Sequence, residues 1–131
     1  MNRNMSYCYR RQLKQPFAET LLRLREKMVY EGFNIHYEID VSNIMRGKSV
    51  EKQAQHRIIG GCNTDYAYQA LLVEPSVGTL LPCNTTIREL EDGVEVAVAD
   101  LVFMLGDTPN PTLLKIARNI TDRLRDIIDN L

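Results

Sequence analysis

The chain has 131 residues, 44% of them hydrophobic and 25% charged, with 16 Lys and Arg against 17 Asp and Glu. That length suits one domain, 1–131, with a single core, and a formal net charge of -1 offers no footing for nucleic acid or an anionic membrane. No apolar run approaches the ~20 residues that span a bilayer. Arginines break the N-terminal "MNRNMSYCYRRQL" where a signal peptide needs its apolar stretch, and three cysteines, an odd number, fit reduced thiols in a cytoplasmic protein.

Residues 6–13, "SYCYRRQL", read as a strand of aromatic and polar residues. Pro16 then opens a helix at its first turn. Phe17, Leu21, Leu24 and Met28 share one face of that helix, Arg23, Glu26, Lys27 and Glu31 the other, and Gly32 suits its C-terminus. In "FNIHYEIDV" (33–41) Ile35, Tyr37, Ile39 and Val41 alternate with His36, Glu38 and Asp40, the pattern of a half-buried strand. The connector "NIMRGKSVEKQ" has room for one helical turn. "HRIIGGCN" (56–63) is a short strand with two glycines, where the backbone bends or another group approaches closely. "DYAYQALLVEP" makes a helix that Pro75 must end. "TLLPCNTTIREL" and "GVEVAVAD" flank the turn signal "EDG" and form a hairpin, with Pro82 placing the start of its first strand at an edge or bulge. A last helix follows Pro109 and Pro111, with Leu113, Ile116, Ile120, Leu124, Ile127 and Leu131 on one face. The order predicts an α+β fold: one mostly antiparallel sheet, two long helices on one face and a small extra helix.

The stretch "IIGGCNTDYAYQALLVEPSVGTLLPCNTTIRELEDGVEVAVAD" resembles the core of domain of unknown function family 302 (DUF 302). The likeness rests on Cys62, Asn63, Ala67, Leu71, Pro75, Gly78, Leu81, Pro82, Cys83 and Gly93, with Phe17, Leu24, Gly32, Phe33, Ile35, Ile39 and Asp40 upstream. It departs at Thr64, where the family pattern has proline, and its paired Cys-Asn and Leu-Pro-Cys-Asn elements mark a subgroup. The resemblance implies a TATA-binding-protein-like β-α-β(4)-α sandwich, often seen as a homodimer, and it implies no activity, cofactor or metal.

Cys-Asn occurs twice, at Cys62-Asn63 and Cys83-Asn84. Cys62 stands at a strand-to-helix junction behind two glycines, where Asn63 or Thr64 can cap the helix and free N–H groups favour an anion. Cys83 follows Pro82 at a strand entry and shares parity with Thr85 and Ile87. Three functions compete. The first is a small-ligand or soft-metal binding module with its site at Cys62, Asn63, Pro82, Cys83 and Asn84, the two sulfurs roughly 4–8 Å apart in one concavity. The second is a thiol-dependent redox protein or enzyme in which Cys62 attacks and Cys83 resolves. The third is an oligomerisation domain with buried thiols. Cys8, in the first strand, reads as a core or edge residue, and His36 as a solvated one. Because one helical layer leaves the other sheet face bare, pairing into a homodimer is expected.

Overall fold

Proline at position 16 has φ -64 and ψ 144, an extended N-cap that starts the first helix without a side-chain hydrogen bond. The computed structural model describes residues 2–4, 7–48 and 54–131. Along it run β1 (Asn2–Asn4), β2 (Cys8–Leu13), α1 (Phe17–Tyr30), β3 (Phe33–Asp40), α2 (Val41–Ile44), β4 (His56–Asn63), α3 (Thr64–Val73), a 3-10 turn (Pro75–Leu80), β5 (Cys83–Leu90), β6 (Gly93–Ala99), α4 (Leu101–Leu105) and α5 (Pro111–Asp129). The expected elements are all present. β1 and α4 are additions, and residue 6 of the first predicted strand and the 49–53 part of the connector lie outside the described residues.

One antiparallel sheet has the order β1-β2-β6-β5-β4-β3. Its core face carries Tyr9 and Leu13 from β2, Val94, Val96 and Val98 from β6, Cys83 and Ile87 from β5, and Ile59 from β4. Against these pack Leu21, Leu24 and Met28 of α1 and Leu113, Ile116, Ala117, Ile120, Leu124, Ile127 and Ile128 of α5, so both long helices lie on one side. Gly32 ends α1 at φ +87, a left-handed position that glycine adopts without strain. Asn110 caps α5 by accepting from the Leu113 N–H at 3.1 Å. The hairpin between β5 and β6 closes from Leu90 to Gly93 around Glu91-Asp92. β5 is an interior strand, and Pro82 sits just before it rather than on an edge. Among the described residues no helix is long and apolar enough to cross a membrane.

The alternation expected for 33–41 breaks once. Register slips between Ile35 and Tyr37, a bulge that lets His36 stand outside the ladder. One extra residue reverses every side chain after it. Ile35 therefore stays with the core, whereas Glu38 comes to the helix side opposite the buried Ile59, and Tyr37 and Ile39 move to the uncovered side. Glu38 is held there by Arg25 of α1 (Nη2–Oε2 2.6 Å, Nε–Oε1 2.8 Å) and by Arg57 of β4 (3.2 Å). Arg57 also reaches Asp40 at 3.6 Å and lies over the Phe17 ring at 5.9 Å.

The hydrogen bond from Arg25, helped by both guanidinium charges, holds the Glu38 carboxyl below the usual carboxylate range. A folded-state value below the unfolded one means stability that is present above the ordinary glutamate pKa and lost as pH falls through the folded value. Glu38→Gln should lower stability at pH 7 by about 1 kcal/mol, since the pair is partly exposed. Urea titrations from pH 6 to pH 3 should show the wild type losing this advantage, and equal losses in both proteins would refute the role of the carboxylate.

Candidate functional site

In β6, "GVEVAVA", the inward positions are all valine, while the outward ones are Glu95, Ala97 and Ala99. Strands favour β-branched and aromatic side chains, so two outward alanines in the middle of a sheet lower its surface. The register carries the depression across neighbouring strands. His56, Arg88 and Glu95 form one row, Ile58, Thr86, Ala97 and Arg10 the next, and a third contains Gly60 beside Asn84 and Ala99 beside Cys8. A groove of about 480 Å³ results, floored by Thr86, Ala97 and Ala99, with Cys8 and Arg10 along one side and Met104 of α4 at one end. A second concavity of about 190 Å³ shares Asn84, Ala99 and Met104 with it and continues to Tyr37 and the 79–82 segment.

At the polar end Glu95 is buried, 8% exposed. Its carboxylate accepts from Arg88 Nε at 3.0 Å and lies 3.8 Å from Arg10 Nη1. Burying a charge is costly unless it is paired, and here two cations compensate one anion. Burial, reinforced by the Arg88 charge and opposed by Glu95, pushes the His56 pKa down, so this histidine is neutral at pH 7. At the other end the Tyr37 hydroxyl donates to Asn84 Oδ1 at 2.5 Å. The Tyr37 ring fills the space over Gly60, where an added Cβ would meet it at 2.3 Å; a larger residue at position 60 would displace the ring.

The five residues expected to form one site are divided. Pro82, Cys83 and Asn84 line the smaller concavity. Asn63 instead caps α3 by accepting from the Tyr66 N–H at 3.3 Å and borders a separate polar groove with Tyr30, Glu31, Gly32, Asp65, Gln69 and Arg123. Cys83 pairs with Gly61 across β4 and β5, so alternation turns its side chain into the core and that of Cys62, one residue on, to the opposite side of the sheet. Neighbouring strands bring the two backbones together, while the pleat parts the side chains. All three cysteines are free, and no group of three or more His, Cys, Asp or Glu side chains is gathered as a metal site among the described residues.

A model of the domain of unknown function DUF302 matches residues 9–131. The chain belongs to the DUF302 family. Its fold is similar to the crystal structure of an uncharacterised conserved DUF302 protein from Bacillus stearothermophilus, with a TM-score of 0.85 and 24% identity over 94% of this chain and 96% of that one. At that identity the likeness concerns the fold alone. No curated protein matches the sequence.

In this DUF302 domain the groove residues that sequence reasoning left outside its candidate site are Cys8, Arg10, His56, Arg88 and Glu95. Two signals were present. Glu95 is a charge inside an otherwise apolar strand, and Asn84, Thr86 and Arg88 share one parity. What the sequence lacked was the register that sets β2 and β4 beside them.

Burial shifts all three thiols upward. Burial pushes Cys62 up, despite its place before a helix N-terminus. Burial, with a smaller contribution from Cys62, pushes Cys83 up to about 12. Burial also raises Cys8, with Arg10 opposing it and Glu95 adding to it. A lowered pKa is what favours an attacking thiolate, and burial acts in the opposite direction at all three thiols. Native protein at pH 7.5 should therefore alkylate at Cys83 roughly a thousandfold more slowly than free cysteine. Mass spectrometry after timed iodoacetamide quenching reads this, and rapid modification of Cys83 in folded protein would contradict the burial argument.

Proposed function

We propose that this DUF302 domain is a small-ligand binding module whose site is the groove on the uncovered sheet face, rather than a site built around the Cys62 and Cys83 thiols. The observation that carries the reading is the outward row of small residues on β6 and its neighbours, which opens about 480 Å³ between a paired set of charges and an apolar wall. That volume lies within the roughly 300–1,000 Å³ of ordinary ligand sites, which combine apolar walls with a few fixed polar groups. The groove floor is rigid, because it is the back of a ladder whose inward side chains Val94, Val96 and Val98 are at most 1% exposed. Pro82 and Asn84 contribute through the adjoining concavity, and Cys83 serves as packing.

Ala97 is the position to test. Ala97→Leu adds three carbons to the floor on a partly exposed surface and leaves the core side of β6 untouched. Thermal unfolding should shift by only a few degrees. Amide shifts at Thr86, Arg88 and Ala99 on titration with a small-molecule fragment set should appear in the wild type and vanish in the variant. Wild-type protein whose groove amides respond to no fragment would overturn the reading.

A second reading, homodimerisation, draws support from another part of the same face. Tyr37 is 36% exposed there, Ile39 and Ile58 flank it, and β3 is an edge strand. Light scattering at micromolar concentration should then give twice the 15.0 kDa chain mass, and a monomer mass would remove this reading.

A further inference from the structure

The charges at one end of the groove are unequal. Arg10 and Arg88 stand against the single carboxylate of Glu95, which leaves one positive charge in excess. His56 in the same row is neutral at pH 7, because burial and Arg88 hold its pKa down. Cys8 adds no negative charge, since burial keeps its thiol protonated. Glu95 takes the Nε–H of Arg88 at 3.0 Å, so its fork of terminal N–H groups makes no other hydrogen bond among the described residues. Arg88 is 43% exposed and Arg10 31% along their side chains, and both line the groove. Away from this end the lining changes to Ala97, Ala99 and Met104, with nothing ionised.

We propose that the groove selects a small monocarboxylate with an apolar body, its carboxylate against Arg88 and Arg10 and its body along Ala97, Ala99 and Met104. This rests on the binding reading above and adds the charge and polarity of the ligand to it. A carboxylate matches the planar guanidinium donors and cancels the one excess charge. A phosphate dianion would leave a negative charge against the buried Glu95. A cation would meet the excess positive charge of the two guanidinium groups, and a neutral amide would forgo the charge-assisted hydrogen bonds. Glu95 orients the two arginines: held in a buried position between them, it fixes their spacing before a ligand arrives.

The test uses three probes of one shape, 4-phenylbutyrate, 4-phenylbutanamide and 4-phenylbutylamine, titrated into the full chain at pH 7 and low salt. Amide shifts of Thr86, Arg88, Ala97 and Ala99 report binding. The carboxylate should bind at least tenfold more tightly than the amide and more tightly still than the amine. Arg88→Met should lower carboxylate affinity roughly tenfold, the worth of one charge-assisted contact, and leave the amide unchanged. Should that variant fail to fold, Arg10→Met keeps the Arg88–Glu95 pair and should shift the preference in the same direction. Equal affinity for the three probes, or a preference that survives both substitutions, sinks the carboxylate assignment while leaving a ligand groove in place. If none of the three moves a groove resonance, the binding reading falls and the assignment with it.

Discussion

Alternation along β6 is the constraint on which the rest of this molecule depends. Its inward valines, Val94, Val96 and Val98, are essentially inaccessible and meet side chains of both long helices in one core. The strand lies between β2 and β5, so it joins the N-terminal strands to the rest of the sheet. Fully burying each valine contributes about 1.5–3 kcal/mol, a large amount for a strand of 7 residues. The same alternation dictates the other face. With valine committed inward, the outward positions are free to be small or charged, and Glu95, Ala97 and Ala99 occupy them. One strand thus provides the stability of the domain on one side and its groove on the other.

The bulge at His36 is the second determinant. Without it, Tyr37 and Ile39 would face the helices, and Glu38 would sit on the uncovered face among Thr86 and Ile58. The extra residue exchanges them. It brings Glu38 between Arg25 and Arg57, where a carboxylate links α1 to β4, and it delivers Tyr37 to Gly60 and Asn84. The absence of a side chain at Gly60 therefore has a definite occupant, the phenol ring. Gly61 serves the core side in the same way, where an added Cβ would meet Met28 Cε at 2.5 Å. The pair of glycines admits one large side chain on each face of a single strand.

Electrostatics separates the two kinds of polar group in this fold. Guanidinium groups from a neighbouring helix and strand hold the Glu38 carboxyl below the usual carboxylate range, and Glu95 is paired with Arg88 and Arg10. The thiols have no such compensation in sufficient measure, so desolvation dominates and keeps them protonated. At Cys62 burial raises the thiol although the residue stands just before a helix start, where Asn63 accepts from the Tyr66 N–H.

The sequence by itself determined the elements: period 3.6 in 17–29 and 113–131, Pro16 and Pro111 at helix starts, the Glu-Asp-Gly turn, and the resemblance of Leu-Pro-Cys-Asn and its surroundings to DUF302. These features are local, set by backbone sterics and by the need of each stripe to bury itself, so they are written within a few residues of one another. It also placed Asn84, Thr86 and Arg88 on one parity, half of the groove. Tertiary structure alone decided the other half. Whether Cys8 and Arg10 lie beside Ala99 and Ala97, or His56 beside Arg88, depends on strand order and register, which arise from contacts between segments up to about ninety residues apart in the sequence. The direction of Glu38 and Tyr37 turned on a single bulge that leaves no mark in an alternating pattern, and the parting of Cys62 from Cys83 turned on a register of one residue. In a sheet each step along the strand reverses the face, so a site drawn from several strands exists only once their registers are fixed.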